Sequence, residues 1–151
     1  MTTTEVIQAV SNALVGDTTL NSWCTAQFGK APSVFLGIDE NRPPAEEDYP
    51  LIAVVGVEQV RGQDRRELEW RVFLGVGVVN DEITQSGSVR TRTGCLQAET
   101  LRELAENALY RARLCDTESA GDASGESYHP LYVSYTTVTV RALKSTRRGL
   151  P

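Results

Sequence analysis

Apolar residues recur along this chain at two periods, and the change from one to the other divides it into elements. Val6, Ala9, Val10, Ala13 and Leu14 fall at helical spacing, with Thr3 or Thr4 placed to cap the start and Gly16 to end it. Asp17 offers a second N-cap before Leu20, Trp23, Cys24 and Phe28, and Gly29 offers a stop. Residues 33–38 predict a short strand, and residues 51–60, rich in Val and Ile, a stronger one. The clearest pattern follows. Leu68, Trp70, Val72, Leu74, Val76 and Val78 alternate with Glu67, Glu69 and Arg71, which is period two and predicts a long half-buried strand. Beyond Phe73 the charged row gives way to Gly75, Gly77 and Val79, so another backbone or subunit is expected to approach there.

The polar residues 61–66 read as a hairpin connection, and residues 80–94 as a polar connection containing Gly, Ser and Thr. Residues 96–114 carry the best helical pattern, with Leu101, Leu104, Ala105, Ala108, Leu109 and Ala112 in a stripe wide enough to lie on a sheet. Residues 115–128 read as a mobile polar linker. Residues 131–143 predict the last strand. Its apolar set switches from Leu131, Val133 and Tyr135 to Val138, Val140 and Ala142, as a bulge near Thr136 and Thr137 would cause. Residues 144–151 form a basic tail. The predicted order is α-α-β-β-β-α-β, an α+β class with one mainly antiparallel sheet and helices on one face.

The length of 151 residues suits a single domain, and a hydrophobic fraction of 40% gives it a core without metal or disulfide staples. A net charge of −5 argues against a surface built to grip phosphate. Cys24, Cys95 and Cys115 are an odd number without a C-x-x-C spacing, which fits free thiols in a reducing compartment. Residues 1–5 have neither the basic nor the apolar region of a signal peptide, and no apolar run approaches a membrane span, so synthesis in the cytoplasm is expected.

Little in the chain points to catalysis. His129 is the sole histidine, and between Tyr128 and Pro130 it reads as a turn residue rather than a base. Gly75-Val-Gly lies inside strand periodicity and is not a phosphate-binding loop, so no nucleotide cofactor is expected. Asp39, Glu40, Glu46, Glu47 and Asp48 are the densest acids. Their spacing is not that of a calcium loop, and Pro43 and Pro44 stiffen the chain between them. With Arg42, residues 39–48 sum to −4, whereas Arg141, Lys144, Arg147 and Arg148 give residues 141–151 a charge of +4. These segments have three readings: two solvated stretches, a pair within one monomer, or a pair joining identical subunits head to tail.

Two stretches carry a family likeness. One runs Phe28-Gly-Lys-Ala-Pro-Ser-Val-Phe-Leu-Gly-Ile-Asp-Glu-Asn-Arg-Pro-Pro, followed by Asp-Tyr-Pro-Leu-Ile ahead of a β-hairpin. The other is the helix Glu99-Thr-Leu-Arg-Glu-Leu-Ala-Glu-Asn-Ala-Leu before a long last strand. In element order, length and texture over residues 5–143 the chain resembles the tail terminator, or tail completion, proteins of long-tailed bacteriophages. That resemblance implies a virion structural protein of the neck, not an enzyme. It would form a homo-hexameric ring that caps the tail tube and meets the head–tail connector, with DNA passing through ungripped.

On this reading Asp39, Glu40, Glu46, Glu47, Asp48, Arg141, Lys144, Arg147 and Arg148 are expected contacts between subunits. Arg90 and Arg92 are expected to touch the tube or a neck neighbour. The alternatives are a head-completion or connector adaptor protein, a small cytoplasmic interaction domain, or an unrecognised enzyme.

Overall fold

The computed structural model describes residues 1–60, 67–115 and 120–143. Two capped helices open the chain. Helix α1, Thr3–Gly16, is capped by Thr2, one residue before the predicted pair, whose hydroxyl accepts from the Glu5 N–H at 3.1 Å. Helix α2, Thr18–Phe28, starts at Asp17, whose carboxylate accepts from the Leu20 N–H at 2.9 Å, and ends on Gly29 in the left-handed region (φ 78°). Val6, Val10, Leu14, Leu20 and Cys24 are their fully buried residues.

Strands β1 (Ser33–Leu36), β2 (Leu51–Val60) and β3 (Glu67–Val79) follow, with a short 3-10 turn, Glu46–Asp48, before β2. Strands β4 (Ile83–Ser86) and β5 (Val89–Arg92) form a separate small hairpin. Helix α3, Thr93–Arg111, precedes β6 (Ala120–Tyr128) and β7 (Leu131–Leu143). The main sheet runs β1-β2-β3-β7-β6. All its pairs are antiparallel except β1 with β2, so the sheet is mixed. The α+β class and helices on one face stand as expected, but the order of elements differs: three further stretches become strand, as β4, β5 and β6 fill segments read as connections.

The row Trp70, Val72, Leu74, Val76 and Val78 is buried against the helices, and the Trp70 indole N–H donates to the Thr3 hydroxyl at 3.0 Å. Val55 is the extra residue of a bulge in β2. It keeps Ile52 and Val54 in phase with Val57 on the inner face.

Three expectations need correction. No bulge interrupts β7 where it pairs with β3: the register is continuous from Leu131 to Leu143. Its inner row is Tyr132, Ser134, Thr136, Val138 and Val140, so the switch in pattern arises from two buried hydroxyl residues, not from a slip. The irregularity lies on β6, between Ala120 and Ala123. Residues 120–128 are a strand rather than a linker, because the backbone of β7 pairs with them although they lack an apolar row. Finally, this chain's own aromatic rings cover the glycines of β3. A Cβ on Gly75 would meet the Tyr135 ring at 3.2 Å, and one on Gly77 would meet Tyr49 at 2.7 Å.

Two close contacts lend themselves to measurement. At the buried start of α3, a Cβ on Gly94 would collide with the ring of Tyr132, itself 1% exposed and unable to retreat. Gly94→Ala should therefore cost about 1–3 kcal/mol, read as a lowered urea midpoint. Asp17 also accepts two hydrogen bonds from Arg111, at 2.7 and 2.8 Å, joining the α1–α2 corner to the end of α3. The Arg111 guanidinium, helped by the Leu20 N–H, holds this carboxyl below its ordinary 3.8 against the opposing effect of burial. A lowered folded-state pKa stabilises above the unfolded value, and the gain is lost as pH falls through the folded one. Asp17→Asn keeps a capping side chain, so with Arg111 half exposed it should cost under about 1 kcal/mol at neutral pH. The difference from the parent protein should vanish in acid, in paired denaturation curves at pH 7 and below pH 3.

Candidate functional site

The interior of the molecule is chemically closed. Arg102 of α3 sits among three carboxylates, with Glu106 at 2.5 Å, Glu99 at 3.2 Å and Glu103 at 3.7 Å. Its Nε donates to the Ser134 hydroxyl at 3.1 Å, and the Thr136 hydroxyl donates to Glu106 at 3.2 Å. The two polar residues of the inner row of β7 are thus the partners of a charge network on α3. Farther along the helix, Gln97 accepts from the Asn80 amide at 2.7 Å and donates to Gln27 at 3.1 Å. Among the described residues no buried side-chain nitrogen or oxygen lacks a partner, and no group of three or more His, Cys, Asp or Glu is placed to hold a metal ion. His129 lies at the β6–β7 turn, where its Nδ1 is 2.5 Å from the Tyr132 hydroxyl. Burial pushes the Cys24 thiol up to about 11, so this thiol stays protonated at neutral pH.

Unneutralised charge is found at the surface. The loop from β1 to β2 is the long crossover that a parallel strand pair requires. Its conformation is set locally. Asp39 accepts from the Asn41 N–H at 2.9 Å, Asp48 from the Ala45 N–H at 2.8 Å, and the Lys30 ammonium donates to the Glu47 carbonyl. The ring of Tyr49 anchors the end of the loop over Gly77. Glu40, Glu46 and Glu47 are exposed, and no ion pair reaches these acids among the described residues.

Arg90 and Arg92 lie on the β4–β5 hairpin. Its two-residue turn, Gly87-Ser88, begins with Gly87 at φ 60°, a conformation that favours glycine. The base of the hairpin is fastened by the Thr93 hydroxyl donating to Glu82 at 2.9 Å and by the Glu82 N–H donating to Asn80 at 2.9 Å. Both arginines are exposed and make no ion pair among the described residues. Ile83 pairs with Arg92 and Gln85 with Arg90, so these four side chains share one face.

Arg141 differs from the other expected contacts. It faces Glu69 across the β3–β7 ladder and donates to its carboxylate at 3.2 Å on the outer face of the sheet. Lys144, Arg147 and Arg148 lie outside the described residues. Among the described residues no hydrogen bond or ion pair joins the acidic loop to Arg141. What the sequence reading missed is the hairpin itself, although Gly87-Ser88 between two short polar strands was a usable turn signal.

In comparisons with known proteins, the chain matches no protein-family profile, and no curated protein sequence is significantly similar to it.

The charge network gives a sharp contrast between neighbours. Arg102→Met would leave Glu106, 7% exposed, beside Glu99 without a cation, and should cost about 3–5 kcal/mol. Glu103→Gln, at a carboxylate 66% exposed, should cost less than about 0.5 kcal/mol. Urea unfolding of the two variants checks the difference.

Proposed function

We propose that this chain is a structural subunit of a bacteriophage neck, which assembles into a six-membered ring that caps the tail tube and joins it to the head–tail connector. The observation that carries this reading is the location of unmatched charge. Among the described residues the buried polar groups are satisfied, whereas exposed acids on one loop and exposed arginines on one hairpin make no ion pair. A catalytic site tends to gather perturbed groups in a cleft. Here the exposed charges stand on a loop and a hairpin instead, as in a protein that meets other proteins. The number six and the phage setting rest on the likeness in element order and texture. The net charge of −5 suits a conduit through which DNA slides without being held. The partners are further copies of the chain, the tail tube protein and the connector, and the place of action is the virion.

The test is assembly. Light scattering over a concentration series should show growth from monomer towards hexamer, and negative-stain images should show six-fold rings. Added to polymerising tail tube protein, the rings should arrest growth. Rings that bind the connector but leave tube growth unchanged would assign the chain to another neck position. A persistent dimer would refute the ring.

A further inference from the structure

We propose that the loop of one copy docks on the hairpin of the next: residues 36–48 of one subunit seat against the depression formed by β4–β5, the start of α3 and the end of β6. This contact rests on the ring reading above and names the surfaces that would build it. The depression encloses about 450 Å³ and is lined by Ile83, Arg90, Arg92, Cys95, Leu96 and Ser127. Ile83 is 41% exposed and Leu96 60%, an unusual exposure for large apolar side chains lying beside two free guanidinium groups. A surface of this kind matches an occupant that brings apolar side chains and carboxylates together.

The chain carries such an occupant. Leu36 is 54% exposed and Ile38 39%, and they lead directly into Asp39 and Glu40, with Glu46 and Glu47 farther along the same loop. The net charge of −4 over residues 39–48 opposes that of Arg90 and Arg92. Position favours contact between copies. The loop leaves β1 at one edge of the sheet, and the hairpin stands beside β6 at the other edge. Those edges are four strand spacings apart, roughly 19 Å. No hydrogen bond or ion pair links loop and hairpin among the described residues. Two different patches at opposite edges make a heterologous contact, which propagates from copy to copy until it closes. Arg90 and Arg92 then face a second copy of this chain rather than the tube, and Arg141 remains within its own sheet.

The experiment compares the full-length protein with R90E/R92E, with E46R/E47R and with the four substitutions combined, using light scattering over a concentration series. All four side chains are exposed and make no ion pair among the described residues, and circular dichroism verifies the fold of each variant. Each two-site reversal should raise the concentration needed for half-assembly by about tenfold or more. The combined variant, with its charges exchanged, should recover most of that loss. A second readout uses Cys95, which is exposed while Cys24 is buried. In a Cys115→Ser background, Glu40→Cys with a short bismaleimide should give a ladder of cross-linked species rising past the dimer, absent when Cys95→Ser is added.

Assembly indifferent to R90E/R92E, a combined variant no better than its parts, or cross-linking that stops at a dimer would overturn the contact and leave the ring reading standing. Loss of assembly in R147E/R148E alone would transfer the contact to the basic tail. A parent protein that stays monomeric at every concentration, with and without tail tube protein, would overturn both.

Discussion

Everything in this molecule depends on the pairing of β3 with β7, thirteen residue pairs long without a break in register. It sits at the centre of the sheet, so a slip of one residue would turn both inner rows out to solvent. The inner row of β3 is wholly apolar and contributes about 1.5–3 kcal/mol for each large side chain buried. The inner row of β7 is mixed. Tyr132, Val138 and Val140 pack into the core, while Ser134 and Thr136 hold Arg102 and Glu106 of α3 through hydroxyl groups. Apolar burial thus fixes the sheet, and a short polar seam fixes where along it the helix lies. Unpaired hydroxyls there would favour a different seating, so the seam adds specificity more than net stability.

The same economy of polar groups shapes the surface. Inside the sheet, charges are matched across strands, as with Glu58 and Arg71 at 3.6 Å and Glu69 and Arg141 at 3.2 Å. Outside it, the β1–β2 crossover and the β4–β5 hairpin carry exposed charges of opposite sign that make no ion pair among the described residues. Each protrusion is fastened at its base, by Tyr49 over Gly77 in one case and by Thr93 on Glu82 in the other. The charges are therefore presented on ordered supports, which lowers the entropy cost of meeting a partner.

How much of this was legible depended on whether side chains or backbone decide the element. Helices α1 and α2, with the caps at Asp17 and Gly29, follow from residue type and spacing, and so do β2 and β3, whose rows are apolar and regular. Strand β6 was hidden because Ala-Gly-Asp-Ala-Ser-Gly-Glu-Ser has no periodicity, and pairing with β7 alone makes it a strand. The phase of β7 was misread because Leu131, Val133 and Tyr135 lie on the outer face while hydroxyls lie within, an inversion visible only once Arg102 is placed. Among the candidate contacts, the exposure of the acids and of Arg90 and Arg92 could be foreseen from charge. The engagement of Arg141 could not, since it requires the register that sets it opposite Glu69.

The β3–β7 ladder has a further consequence, for the way the chain acquires its structure. Each residue of β3 finds its partner more than about fifty positions later, after the hairpin, α3 and β6. During synthesis, β2 and β3 can meet early, but the far edge of β3 waits uncovered until the last strand leaves the ribosome. Topologies dominated by such distant pairings reach the native state in milliseconds to seconds rather than microseconds. In that interval a nascent chain exposes an apolar strand edge to its neighbours on the same message, so the speed of folding as well as the final stability governs how many copies mature.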